Sequence, residues 1–122
     1  MNNAESKKKA AIVCRAVEEK KGLDLKVIEI AEISTLADYF IISSGSNENQ
    51  VQAIIDSVDE MMSRAGYEPR HTEGKSPTQW MLLDYGDVVV HIFNEEGRSF
   101  YDLEHIWRDG KEIDPVSLVQ EE

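Results

Sequence analysis

Between residues 6 and 21, Ala10, Val13, Cys14 and Val17 recur at helical spacing, and Gly22 follows where a left-handed residue would stop a helix. The Lys7-Lys8-Lys9 start opposes the helix dipole, which predicts a frayed, solvated first turn. Residues 24–31 hold Leu25, Val27, Ile28 and Ile30 and read as a strand with imperfect alternation. Ser34-Thr35-Leu36-Ala37-Asp38 reads as a turn or a single helical turn. The continuous run Tyr39-Phe40-Ile41-Ile42, bounded by Ser43-Ser44, fits a central strand buried on both sides.

The longest helix follows, with Val51, Ile54, Ile55, Val58, Met61, Met62 and Ala65 on one stripe. Asn47 and Gln50 have the spacing of a capping box, and Gly66 lies just past the end. A brief strand is expected around residues 67–72. A polar loop then leads into a hairpin over residues 80–93, where Asp84-Tyr85-Gly86-Asp87 supplies the turn. Beyond a turn at 94–98, residues 100–107 predict a short helix with Leu103, Ile106 and Trp107 packing inward. The tail offers little pattern beyond Ile113, Val116, Leu118 and Val119, so it docks or remains disordered. The order of elements predicts one α/β domain over residues 1–108, a mixed β-sheet flanked by helices, followed by a tail at 109–122.

The hairpin is apolar on both faces. With Tyr85 and Gly86 as loop residues, Trp80 falls opposite His91, Leu82 opposite Val89 and Asp84 opposite Asp87 on one face. Met81, Leu83, Val88, Val90 and Ile92 occupy the other. A half-solvated antiparallel sheet alternates apolar with polar residues, so helices are expected on one side and another protein on the other.

At 122 residues the chain fits one domain with a single core. It holds no apolar run of membrane-span length and no signal-like segment, which points to a cytoplasmic protein that does not enter membranes. Cys14 is alone, so no internal disulfide or metal cluster is built on it, and it reads as a small buried hydrophobe. Charge is uneven. Residues 27–122 carry 6 basic and 20 acidic side chains, against 7 and 4 in the first 26. So acidic a body repels phosphate, which argues against direct sequence-specific nucleic-acid binding and for a basic protein partner.

Ser44-Gly45-Ser46 stands where a strand meets a helix, but it lacks the glycines or Gly-Lys-Ser/Thr ending of a phosphate loop and reads as capping. A nucleotidyltransferase would need a Gly-Ser turn followed by two carboxylates on a strand; Asp56 and Asp59 instead have helical spacing. Asp84 and Asp87 flank the hairpin turn, where they serve turn chemistry or meet Arg or Lys of a partner. His71, His91 and His105 occur singly, without ligand spacing, and His91 is expected to cap the hairpin patch or touch a partner. Trp80 is either core or an interface anchor. Tyr85, expected at the loop tip, has little structural need to be aromatic, so the two together make a candidate hot spot. No catalytic group, cofactor or metal is expected.

Asp38-Tyr39-Phe40-Ile41-Ile42-Ser43-Ser44-Gly45, Glu73-Gly74, the run from Trp80 to Asp87, Val90-His91, and Tyr101-Asp102-Leu103-Glu104 with Trp107 are together similar to the pattern of the ribosomal silencing factors of the Iojap family. The similarity extends over about residues 7–108. It implies a nucleotidyltransferase-like α/β fold without catalytic residues. It further implies a translation repressor that binds the large ribosomal subunit through ribosomal protein number fourteen and sterically blocks joining of the small subunit. The partner surface it implies comprises Trp80, Asp84, Tyr85 and neighbouring hairpin residues, here Asp87 and His91, with Tyr101 contributing. The rival expectation is a divalent-metal-dependent nucleotidyltransferase or nucleotide-binding domain. A homodimer that buries the hairpin face is a third, compatible with ribosome binding if it dissociates.

Overall fold

A computed structural model describes residues 3–31, 37–74, 80–94 and 110–120, with backbone alone for Asn3, Ala4, Trp80, Val119 and Gln120. The elements are α1 (Asn3–Glu19), β1 (Leu23–Glu29), β2 (Tyr39–Gly45), α2 (Glu48–Arg64), β3 (His71–Gly74), β4 (Trp80–Asp84), β5 (Val88–Asn94), β6 (Lys111–Ile113) and α3 (Pro115–Gln120). Six strands form one mixed sheet in the order β3-β4-β5-β2-β1-β6. Among the described residues only β2 and β5 pair in parallel, with Ile41 beside Val90. A parallel pair needs a crossover, and α2 supplies it.

The continuous apolar run of β2 occupies the centre of the sheet, as its composition predicts. On one face, Val27, Tyr39, Ile41, Leu83, Val88, Val90 and Ile92 pack against Val13 and Val17 of α1, Val51, Ile54 and Val58 of α2, and Leu118 of α3. On the other face lies a smaller cluster of Ile28, Ile30, Ala37, Ile42 and Phe93, joined by the half-buried Phe40 and Val89. The imperfect alternation of β1 has a local cause: its pairing with β2 shifts between Leu23 and Lys26, where Asp24 adopts φ +47°. Past that irregularity Val27 faces the helices and Ile28 the opposite side.

Both long helices end and begin through specific bonds. At the end of α1 the left-handed residue is Lys21 (φ +58°), not Gly22. Lys21 N–H donates to the Glu18 carbonyl and Gly22 N–H to the Val17 carbonyl, a Schellman arrangement. Glycine is required at 22 for space: a Cβ there would lie 2.4 Å from Val17 Cγ1 and 2.7 Å from Ser43 Oγ. Asn47 caps α2, its side chain accepting from Gln50 N–H at 2.8 Å. Gln50 in turn accepts from Ser46 N–H and donates to the Lys21 carbonyl at 2.9 Å, so one side chain serves the start of α2 and the end of α1.

The frayed first turn expected for α1 is not what the structure holds. Ser6 is buried and bonds the carboxylates of Asp38 and Asp87, and Lys9 Nζ donates to Asp87 at 2.9 Å. These acceptors come from far along the chain, and carboxylates near a helix N-terminus suit its dipole, an effect invisible in the local run of lysines. Lys7 and Lys8 remain exposed. The strand expected at 67–72 lies at His71–Gly74. In the tail, Val27 pairs with Ile113, and Leu118 of α3 is buried in the main cluster. The predicted helix at 100–107 and the turns at 34–36 and 95–98 lie outside the described residues.

Candidate functional site

The hairpin β4–β5 forms, but with its strands two residues out of the predicted alignment. Trp80 lies opposite Phe93, Leu82 opposite His91 and Asp84 opposite Val89. Tyr85 N–H donates to the Val88 carbonyl at 2.9 Å, which leaves Gly86 and Asp87 as the loop. Positive φ occurs at Gly86 (φ +91°) and not at Asp87, the requirement of a type II′ turn, whose twist matches that of the flanking strands. A two-residue shift preserves each strand's faces, so Leu82, Asp84, Val89 and His91 still share one side and Leu83, Val88, Val90 and Ile92 the other.

That shift moves Tyr85 from the loop tip into the alternation of β4, next after Leu83 on the helix-covered face. It is 4% exposed and part of the main core. Burial raises its phenol above the ordinary range, with Asp59 and Glu68 adding to the rise. Its hydroxyl has no hydrogen-bond partner among the described residues. The expectation of Tyr85 as an exposed anchor is therefore corrected. Its aromatic ring fills core space, and burying that ring is worth more than a tip position would return.

Asp84 and Asp87 turn to separate partners. Asp84 Oδ1 accepts from Gly86 N–H at 2.7 Å, and the Asp84 carbonyl accepts from Arg70 N–H. The Asp87 carboxylate accepts from Lys9 and Ser6, while its carbonyl accepts from the N–H groups of Asp38 and Tyr39 at 2.7 and 3.1 Å. They do not converge as a carboxylate pair for an ion or acid–base work. Of the two roles expected for Asp87, turn chemistry or contact with a partner, the structure shows its carboxylate engaged within the chain, by Lys9 and Ser6 of α1. Among the described residues no group of three His, Cys, Asp or Glu side chains is arranged to hold a metal.

On the face away from the helices, Ala37, Phe40, Arg70, Leu82, Asp84, Gly86, Val89 and His91 line a shallow cavity of about 330 Å³. Phe40, Leu82 and Val89 are half-buried and form an apolar floor. His91 is 4% exposed, its ring 4.4 Å from that of Phe40 and nearly parallel to that of Phe93. Burial drives its pKa down from 6.5 to about 4, so the imidazole is neutral at physiological pH and belongs to the apolar floor. Of the two roles expected for His91, capping the patch or touching a partner, the structure shows its ring packed into the patch's floor. Asp84 and Arg70 stand at the rim. Among the described residues no helix packs over this floor.

Trp80 opens β4 at the ladder position opposite Phe93, but its side chain, like Tyr101, lies outside the described residues. Sequence reasoning missed Phe40, Arg70 and Ala37. Phe40 carried a usable signal, since a central strand has two faces and its even positions fall on the face that the helices leave open. Arg70 carried none, because the chain reaches the turn only through β3.

The chain resembles known proteins over nearly its whole length. The sequence profile of the family described as ribosomal silencing factor during starvation (RsfS) matches residues 3–122. The ribosomal silencing factor RsfS of Bacillus subtilis is 38% identical over 109 residues, covering 89% of this chain and 90% of that protein. The chloroplastic protein Iojap of Zea mays is 30% identical over 113 residues, 93% of this chain and 49% of the longer plant protein. A crystal structure of a Chromobacterium violaceum protein superposes with a TM-score of 0.79 at 31% identity, covering 93% of this chain and 92% of that one.

Proposed function

Since this chain belongs to the ribosomal silencing factor family, a family of ribosome-associated regulators of translation, we propose that it docks on the large ribosomal subunit through ribosomal protein number fourteen and blocks joining of the small subunit by occupying space. The fold is read as nucleotidyltransferase-like, put to use for binding rather than for a reaction. The contact surface is the open sheet face, with Phe40, Leu82 and Val89 as its apolar centre, Asp84 at its rim, and Trp80 extending it by its place in the β4 ladder.

One observation carries the reading: three apolar side chains remain half-exposed side by side on a face that no described helix covers. Charge supports the choice of partner. Residues 27–122 hold 20 acidic side chains against 6 basic, a field that attracts a basic ribosomal protein and speeds encounter at low salt.

The test is co-sedimentation with separated subunits. The wild-type chain travels with large subunits and lowers the yield of joined particles when small subunits are added. Leu82→Lys places a charge at the centre of the patch and should weaken binding by roughly 2 kcal/mol or more, about thirtyfold. A folded Leu82→Lys protein that binds large subunits as tightly as wild type sinks the assignment of this face.

A further inference from the structure

Resting on the docking reading above, we propose that Lys9 and Asp87 form a clamp by which α1 positions both lips of the sheet-face cavity, making Lys9 a positioning residue for docking although it lies outside the patch. Ala37 and Gly86, the two lips, both line the cavity. The residues that follow them, Asp38 and Asp87, are joined directly: Asp38 N–H donates to the Asp87 carbonyl at 2.7 Å, and Tyr39 N–H to the same oxygen at 3.1 Å. Two backbone bonds to one loop carbonyl hold the lips together only while the loop is kept in place, and the turn's own bonds are those of Tyr85 N–H to the Val88 carbonyl and Gly86 N–H to Asp84 Oδ1.

Side chains of α1 supply the restraint. Lys9 Nζ reaches Asp87 Oδ1 at 2.9 Å, and Ser6 Oγ lies 2.9 Å from Asp87 Oδ2 while also bonding the Asp38 carboxylate. Lys9 is itself confined. Its side chain is 12% exposed, its ammonium sits 4.8 Å above the Tyr67 ring, and Glu5 lies 3.9 Å away. A partly buried, charge-assisted bond with so little freedom left in the lysine is far stiffer than a surface ion pair. Preorganised lips avoid the cost of ordering the turn during association, so loss of the clamp should appear as weaker docking.

The experiment is a double-mutant cycle with Lys9→Met and Asp87→Asn, reading affinity for purified large subunits alongside amide hydrogen exchange of the free protein. Each single substitution should weaken binding about tenfold, and the double variant no further, because both break one interaction. Lys9→Arg should restore most of the affinity. Exchange at the amides of Asp38, Tyr39 and Tyr85 should accelerate while that of core residues of α2 such as Val58 stays unchanged, which separates a loosened turn from global destabilisation. If Lys9→Met does not fold, Lys9→Gln takes its place in the cycle. Losses that multiply to about a hundredfold in the double variant mean independent direct contacts and overturn the clamp. Unchanged affinity in folded single variants overturns it as well. Wild-type protein that leaves large subunits unbound refutes the docking reading itself, and that baseline distinguishes the two failures.

Discussion

Leu82 stands opposite His91 in the β4–β5 ladder, and this pairing places an apolar side chain beside a neutral imidazole in the floor of the open face. The same register carries Tyr85 to the other side of the sheet.

Tyr85→Phe removes a buried hydroxyl that has no partner among the described residues, and keeps the ring. The variant should be as stable as wild type or more so by up to about 1 kcal/mol, since no hydrogen bond is lost and a desolvation penalty disappears. Tyr85→Ala should cost roughly 3–5 kcal/mol by emptying core volume. Chemical denaturation measures both. An unchanged midpoint for Tyr85→Ala would return Tyr85 to the surface.

His91 makes stability depend on pH. Its folded pKa, about 4, lies below the unfolded value of 6.5, so between those values the unfolded chain binds the extra proton. Stability from this group is therefore complete above pH 6.5 and falls as pH drops toward 4. From pH 7 to pH 5 the loss should be about 2 kcal/mol. Urea unfolding of wild type and His91→Gln at both pH values isolates the contribution from that of the carboxylates. The variant should show the shallower dependence, and parallel curves would refute the assignment.

The end of α1 predicts opposite effects at adjacent positions. Lys21 has the left-handed φ, so Lys21→Gly should stabilise by about 0.5–1 kcal/mol through relief of strain. Gly22→Ala drives a methyl into Val17 and Ser43 and should destabilise by about 1–3 kcal/mol. Thermal unfolding of the two variants is sufficient. The reverse order would mean that the left-handed residue is Gly22.

Cys14 is fully buried in the main cluster, and burial, with Glu18 adding to it, pushes its thiol up to about 12. The native protein should resist alkylation by iodoacetamide at pH 8 and take up one equivalent once unfolded, read by intact mass. Rapid modification of folded protein would contradict this burial.

Periodic signals proved legible wherever burial is one-sided or total. The stripe of α2, the apolar run of β2 and the two apolar faces of the hairpin all reflect side chains that meet the core at fixed spacing. The turn was harder. Both Tyr85-Gly86 and Gly86-Asp87 satisfy a glycine-containing two-residue loop, and they differ by one position in the loop and by two in the register. The choice is made by the buried Tyr85 ring and by the Asp87 contacts with α1 and β2, none of which is local in sequence. The strand β6 was also illegible, since Lys111-Glu112-Ile113 has no strand pattern of its own and exists by pairing with β1.

By itself the sequence determined the α/β architecture, the centrality of β2, the acidic body and the likeness to ribosomal silencing factors, because periodicity, composition and motif order are properties of the chain in one dimension. Only the tertiary structure decided that Tyr85 faces inward, that Asp87 answers to Lys9, and that Phe40 joins Leu82 and Val89 on the open face. Those outcomes depend on the two-residue choice of strand register and on partners up to 81 positions apart, and such relationships come into being only when the sheet and α1 close on each other.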